Sequence, residues 1–179
     1  MPAGHRLPVA GVALLFIVAS GIVGGPAVAT DAAMGRRMAN MEEHCRQEIL
    51  DLHRFFAAWF NGEIENTDKH FERVAGVLDA AFEIVAPDGR LIGRDALLEG
   101  LRQAHDGRAG SGFRIWIENQ NIRILADGLG LVTYEEWQES GDEIRGRVST
   151  ALLAADEEAP NGVRWLYLHE TWLPAPSTD

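Results

Sequence analysis

The fold is decided by four strand-like segments in the last third of the chain: FRIWIENQNIRIL (113–125), LGLVTYEEWQES (129–140), IRGRVSTALLAA (144–155) and VRWLYLHETWL (163–173). They are rich in β-branched and aromatic residues and separated by turn signals. The connections ADG, SGDE and DEEAPNG are too short for a crossover, so neighbouring segments must pair antiparallel. The sequence therefore predicts a meander, one face of which is covered by the helical first half of the chain.

The first of these strands changes its side-chain parity once. Its apolar residues fall on odd positions at Ile115 and Ile117 but on even positions at Ile122 and Ile124. A one-residue bulge near Asn119 or Gln120 would produce this change and would bend the sheet. We therefore expect a curled sheet that encloses either a filled core or a pocket.

Three helices and one more strand are predicted before the meander. Apolar residues at three- and four-residue steps predict a helix over 42–61, and Asn66 or Thr67 can cap a second one. A short strand is expected over 81–86. A third helix is expected over 93–103, with Asp95 as its cap.

The first 29 residues have the layout of a secretory signal peptide. His5 and Arg6 precede an apolar run over 9–23, and Ala27-Val28-Ala29 offers a cleavage site. The predicted organisation is a signal peptide over 1–29, a linker over 30–40, a domain over 41–173 and a disordered tail over 174–179. This predicts a secreted or periplasmic protein without a stable membrane span. Alternatively, residues 1–29 are a mis-assigned extension, and an internal start near Met34 to Met41 would leave the protein cytoplasmic.

Composition excludes several classes of protein. The net charge of −11 repels nucleic acid, so we expect no nucleic-acid partner. The single cysteine, Cys45, can form no intramolecular disulfide, and no histidine or cysteine spacing suggests a metal site. We therefore predict neither a metal nor a cofactor.

The order of elements resembles that of a known superfamily. The long first helix with Phe56 and Trp59 near its end, the segment PDGRLIGRDALLEGL (87–101) and the final WLYLHETW strand (165–172) are similar to the nuclear transport factor 2-like superfamily, which includes SnoaL-like cyclases and ketosteroid isomerase. The resemblance implies an α+β cone with a strongly bent antiparallel sheet, three covering helices and a pocket between them. It also implies a homodimer formed through the sheet. It implies no single activity, because function depends on the site and not on the fold.

His169 is the first candidate for catalysis. If Ala155 pairs with Val163 and the register of the last hairpin continues without a bulge, Ser149 lies opposite His169 and Arg147 lies next to them. An imidazole, a hydroxyl and a guanidinium on one face could bind and polarise a carbonyl group. A structural histidine at a dimer interface or in a mixed core is the alternative.

Glu136 and Tyr134 are the next candidates, because alternation places them on the same face of their strand. A carboxyl group in an apolar cone has a raised pKa and can exchange a proton beside a carbonyl. The segment TYEEWQESGDE (133–143) can equally be the solvated end of a hairpin. On the first helix, Trp59, Phe56 and His53 are predicted to contact a ligand, although His53 can also be a hydrated boundary residue.

Two functions remain open on these grounds. The first is a cone that binds a small apolar molecule and carries out cofactor-independent acid/base chemistry of the isomerase, cyclase or dehydratase type. His169, Glu136 and Tyr134 would be catalytic, and Arg147 and Ser149 would bind the ligand. The second is a non-catalytic dimerisation or ligand-binding module.

Overall fold

The computed structural model describes residues 26–126 and 128–174, with side chains from residue 33 onward. The elements in chain order are α1 (Pro26–Phe60), α2 (Asp68–Ala75), β1 (Leu78–Val85), β2 (Leu91–Gly93), α3 (Arg94–Gln103), β3 (Arg114–Ala126), β4 (Leu129–Ser140), β5 (Glu143–Ala155) and β6 (Val163–Trp172). The mixed α+β class is confirmed.

The described strands form one curled sheet in the order β2-β1-β6-β5-β4-β3. The predicted meander is confirmed, because β3 to β6 pair antiparallel with their neighbours along the chain. Strand β1 lies parallel to β6 on the other side, and the three-residue β2 pairs with β1 at the edge. Sequence patterns did not predict β2, because three residues are too few to show a period.

The bulge expected in the first long strand is present. Glu118 pairs with Glu135 and Asn121 pairs with Thr133, so two residues of β3 face a single residue of β4. Asn119 has a φ of 52°, in the left-handed region, which asparagine adopts more readily than most residues. The bulge reverses the side-chain parity of β3, and this keeps apolar residues on the concave face along both halves of the strand.

Helix α1 lies across the concave face of the sheet. Gly130 on β4 permits this close approach, because a Cβ atom there would lie 2.9 Å from Cys45 Sγ. Ile49, Leu52 and Trp59 of α1 are buried in the core. The cavity described below therefore lies between helices and sheet.

Of the two predicted helix caps, one is confirmed and one is wrong. Thr67 caps α2, since its Oγ1 accepts a hydrogen bond from the amide of His70. Asp95 does not cap α3, whose N-cap is Gly93 without a side-chain bond. Residues 30–40, predicted as a linker, are helical and continuous with the rest of α1. This part of the helix is largely exposed from residue 34 to 40 and buries no apolar stripe, so no periodic signal marked it.

Both ends of the predicted domain organisation lie beyond the described residues. This applies to residues 1–25 of the proposed signal peptide and to residues 175–179 of the proposed tail. Among the helices that the structure describes, none combines the length and the apolar character needed to cross a bilayer.

The last hairpin contains a second bulge, which sequence patterns did not predict. Ala155 pairs with Val163 and Leu153 with Trp165, as expected, but Leu152 pairs with Tyr167. Leu166 is therefore an extra residue in β6, and every later position is shifted by one. As a result, Trp165 and Glu170 are buried while His169 is exposed.

Candidate functional site

A cavity of about 570 Å³ lies between the concave face of the sheet and the helices. Most of its wall is apolar and comes from α1, α2, α3, β1 and the start of β3 with the residue before it. These residues are Leu52, Phe56, Phe60, Val74, Leu78, Phe82, Ile84, Leu97, Leu101, Phe113 and Ile115. An apolar cavity with a few convergent polar groups is the usual form of a small-molecule site.

The polar part of the wall comes from β4, β5 and β6 and from His53 of α1, and we call it the floor; its residues are His53, Tyr134, Glu136, Gln138, Arg147 and Glu170. Tyr134 pairs with Ser149 and Ser149 pairs with Glu170, so these three positions lie in line across three strands. Glu136 pairs with Arg147 in the next row. The Tyr134–Ser149–Glu170 row and the Glu136–Arg147 row are therefore adjacent on one face of the sheet, and their side chains are neighbours.

Glu136 is a buried carboxylate with hydrogen-bond donors on both oxygens. Arg147 Nη2 lies 2.7 Å from Oε1 and 2.8 Å from Oε2, and Gln138 Nε2 donates to Oε1 at 2.6 Å. Burial alone would raise the pKa of Glu136, but the charge of Arg147 and the contact with His53 together hold that pKa well below its usual range. Glu136 is therefore ionised at neutral pH.

His53 connects α1 to this carboxylate. Its Nδ1 lies 2.6 Å from the carbonyl oxygen of Ile49, which can only accept, so Nδ1 carries a hydrogen. Its Nε2 lies 3.0 Å from Glu136 Oε2. The imidazole therefore links the backbone of α1 to Glu136 beside the cavity, and both side chains are buried.

Arg147 joins Glu136 to Glu170. Its Nη1 lies 3.1 Å from Glu170 Oε2, opposite the contacts that Nη2 makes with Glu136. Burial opposes the charge of Arg147, but the two carboxyl groups raise its pKa overall. The side chain is therefore a permanent cation held between two acids.

Glu170 is the least neutralised acid of the floor. It is 4% exposed, and Arg147 is its ion-pair partner among the described residues. Burial raises the pKa of Glu170 to about 7; Arg147 opposes the shift and the charge of Glu136 adds to it. A carboxyl group that titrates near neutral pH beside an apolar cavity can act as a general acid or base.

Tyr134 and Ser149 contribute two buried hydroxyl groups next to Glu170. Within the described part of the chain, Tyr134 Oη, Ser149 Oγ and Arg147 Nε make no hydrogen bond of standard geometry, although Ser149 lies close enough to Tyr134 and Glu170 to act against the burial that raises their pKa values. Burial, followed by the charge of Glu136, raises the pKa of Tyr134 well above its usual value, so the phenol stays protonated. Buried polar atoms without partners carry a free-energy penalty, which a ligand that bonded to them would relieve.

Five of the eight residues predicted for the site line the cavity: His53, Phe56, Tyr134, Glu136 and Arg147. Ser149 is buried beside them, between Tyr134 and Glu170. Trp59 does not line the cavity; it lies in the core, where its Nε1 donates to the carbonyl oxygen of Leu101 at 2.8 Å.

His169 is placed wrongly by the sequence prediction. The extra residue Leu166 shifts the register, so His169 pairs with Thr150 and is exposed on the outer face of the sheet. Glu170 takes the position opposite Ser149 that was expected for His169. The same shift places Trp165 and His169 on opposite faces of the sheet, and Trp165 lines the cavity.

A third buried acid, Glu48, lies outside the cavity lining. Arg73 donates to both of its oxygens at 3.1 Å and 2.9 Å. Asn161 Nδ2 donates to Oε2 at 2.9 Å, and Trp165 Nε1 donates to Oε1 at 3.0 Å. These bonds tie α1 to α2 and to the final hairpin, so we assign Glu48 a structural role.

Solved structures define the class of protein. A nuclear transport factor 2-like protein of unknown function from Pseudomonas aeruginosa superposes with a TM-score of 0.65 at 24% identity, covering 73% of this chain and 99% of that one. A putative scytalone dehydratase from Novosphingobium aromaticivorans gives a TM-score of 0.53 at 13% identity, covering 85% and 92%. The chain therefore has the nuclear transport factor 2-like fold, and likenesses at these identities show the fold alone.

The sequence family is more specific. Residues 45–174 match the family described as sucrose-6-phosphate phosphohydrolase C-terminal, and the chain belongs to that family. Sucrose-phosphatase 1 and sucrose-phosphatase 2 of Nicotiana tabacum are 29% and 26% identical over 127 residues, or 70% of this chain. The chain spans about 30% of the length of these curated relatives.

Proposed function

We propose that this chain binds a largely apolar small molecule and that Glu170 exchanges a proton with a carbonyl or hydroxyl group held at the floor. The observation that carries the proposal is Glu170 itself, a buried carboxyl group with a pKa of about 7 that lines the cavity. Such a group is present in both protonation states near neutral pH, as acid/base chemistry requires.

The floor residues have distinct roles in this proposal. Tyr134 Oη, which has no partner within the described residues, donates a hydrogen bond to the ligand's carbonyl oxygen. Ionised Glu170 takes a proton from the adjacent carbon, and protonated Glu170 returns it to another position or to a leaving hydroxyl. Isomerisation and dehydration both follow this scheme without a cofactor. Arg147 and Glu136 position Glu170 and set its pKa, and His169 has no part in the reaction.

The proposal is tested by a thermal-shift screen of apolar ketones, enones and secondary alcohols, because a ligand that binds only the native state stabilises it. Each hit is then incubated in D₂O, and exchange of the protons next to its carbonyl is followed by NMR. We expect Glu170→Gln to abolish exchange while the thermal shift remains. Undiminished exchange in that variant would overturn the catalytic role, and a screen without hits would overturn ligand binding.

The family assignment favours a second candidate, a non-catalytic domain. The two curated relatives reported above are sucrose-phosphatases, and this chain corresponds to only about 30% of their length. On this account the cavity binds a ligand without turnover, or the domain serves assembly. Binding without any proton exchange in D₂O, unchanged in Glu170→Gln, would favour this candidate over the first.

We also propose a homodimer formed through the outer face of the sheet. Two observations support it. Trp116 and Trp137 stack on that face with ring centroids 6.4 Å apart, and Val148 is exposed near them. Analytical ultracentrifugation at micromolar concentration tests this: a dimer that dissociates in Trp137→Ser is expected, and a monomeric wild type would contradict it.

Export remains part of the proposal and rests on the layout of residues 1–29. N-terminal sequencing of the native protein should find Thr30 as the first residue. A start between Met34 and Met41 would instead favour the cytoplasmic alternative.

A further inference from the structure

Arg108 lies at the opening of the cavity, in the segment between α3 and β3. It lines the cavity and is exposed, which places it where the cavity meets solvent. Its amide donates to the carbonyl oxygen of Phe60 at 2.9 Å, and its guanidinium lies 5.5 Å from the ring centroid of Phe113. The end of α1 and the start of β3 therefore hold this cation at the opening.

Arg108 forms no ion pair with any described residue, and this distinguishes it from most arginines of the domain. Ion pairs with acids are made by Arg46, Arg54, Arg73, Arg90, Arg94, Arg102, Arg114, Arg145, Arg147 and Arg164. In a chain with a net charge of −11, an unneutralised guanidinium beside an apolar cavity is available to an anionic group.

The floor is a poorer place for a ligand's anion. Arg147 is already bonded to Glu136 and faces Glu170, so a second anion there would be repelled by the carboxylate of Glu136. At the opening, the same group would meet Arg108 and remain partly hydrated. Arg108 and the floor therefore favour different groups of a ligand.

We propose that Arg108 determines specificity by binding an anionic group at the outer end of the ligand. The ligand class is then an amphipathic molecule with an apolar body, one carboxylate-, sulfonate- or phosphate-like group at Arg108 and an uncharged polar group at the floor. This inference rests on the proposed function, because it requires that the cavity binds a small molecule.

The test uses two fluorescent probes that differ by one anionic group: 8-anilinonaphthalene-1-sulfonate and N-phenyl-1-naphthylamine. Both are titrated into the full chain and into Arg108→Gln, Arg108→Lys and Arg123→Gln. Arg123 is an exposed arginine of β3 outside the cavity lining, so it is the matched control. Leu97→Trp, which narrows the cavity, should weaken both probes and so locate them there, and circular dichroism confirms that each variant is folded.

We expect Arg108→Gln to weaken the sulfonate probe about threefold, as suits a partly exposed ion pair, and to leave the neutral probe unchanged. Arg108→Lys should restore part of the loss, and added salt should diminish the difference. Equal effects of Arg108→Gln and Arg123→Gln on the sulfonate probe would overturn this inference alone. If neither probe binds in the cavity, the proposed function fails and this inference fails with it.

Discussion

Glu48 and Glu170 are both buried glutamates that contact an arginine, but they differ in the number of hydrogen-bond donors around them and in whether they border the cavity. Glu48 receives hydrogen bonds from Arg73, Asn161 and Trp165 on its two oxygens. Glu170 faces one nitrogen of Arg147 and borders a cavity. The fully bonded Glu48 holds elements together, whereas burial with incomplete bonding raises the pKa of Glu170 to about 7.

The arginines differ in the same way. Arg73 is bonded to one acid, while Arg147 lies between two. Arg147 neutralises Glu136, which also contacts His53, and its remaining contact with Glu170 does not offset burial of that acid. The raised pKa of Glu170 thus follows first from burial, and it persists because two acids share one cation.

The largest effect on stability is expected from Arg147→Met. The change leaves Glu136 and Glu170 buried without their shared cation, which costs about 3 to 5 kcal/mol. Urea unfolding at pH 7 measures the loss. Acidification should restore part of it, because the acids can then be buried in neutral form; a loss below about 1 kcal/mol would mean that the floor is more hydrated than its geometry implies.

Glu48→Gln is expected to lower the free energy of unfolding by about 2 to 3 kcal/mol. The amide removes the negative charge that pairs with Arg73, and its NH₂ group faces side chains that are themselves donors. The same isosteric change at Glu170 should cost little at pH 6. Urea unfolding of both variants at that pH gives a direct comparison. Equal losses at the two positions would remove the distinction between a structural and a functional acid.

The pH dependence of stability should differ between the wild type and Glu170→Gln. A raised pKa means that the folded state holds its proton up to about pH 7 while the unfolded chain releases it near 4.5. The unfolded state therefore binds fewer protons in between, and stability falls as the pH rises. From pH 5 to pH 8 the wild type should lose about 2 to 3 kcal/mol relative to Glu170→Gln.

The pKa of Glu136 does not disturb this window, because its low value makes its contribution constant above about pH 5. Chemical denaturation at four pH values gives the two curves. Parallel curves from pH 5 to pH 8 would be incompatible with a raised pKa at Glu170.

The smallest effect on stability is expected from Tyr134→Phe. It removes a buried hydroxyl that has no partner among the described residues, so the free energy of unfolding should change by less than about 0.5 kcal/mol. Binding of a carbonyl ligand should weaken about tenfold, because the ligand loses a donor. Phe82→Leu, which changes the apolar wall and removes no polar group, is the control for the loss of the hydroxyl. A large loss of stability in Tyr134→Phe would indicate that the hydroxyl makes a structural hydrogen bond.

Sequence patterns predicted the parts of this architecture that have a period or a parity. The shift from Ile117 to Ile122 located the first bulge, and alternation placed Tyr134 and Glu136 on the cavity face. The second bulge gave no such signal, because WLYLHETW (165–172) carries large side chains on both faces and no parity change is visible. Because the bulge at Leu166 was not predicted, His169 was expected at the position on the floor that Glu170 occupies.

Contacts between distant elements were also beyond the sequence. The bond from His53 to Glu136 joins residues 83 positions apart, and it depends on how α1 lies across the sheet. The helical pattern marked His53 as a boundary residue, but its burial follows from packing of β4 against α1.

The central claim is that Glu170 carries a proton near neutral pH, and the most direct measurement is a carbon-detected NMR titration of the protein labelled with ¹³C at the glutamate side-chain carboxyl. We predict one carboxyl resonance that titrates near pH 7 and is absent from Glu170→Gln, while Glu48→Gln retains it. If every glutamate carboxyl titrates below about pH 5, Glu170 is an ordinary ion-paired acid and the account is contradicted.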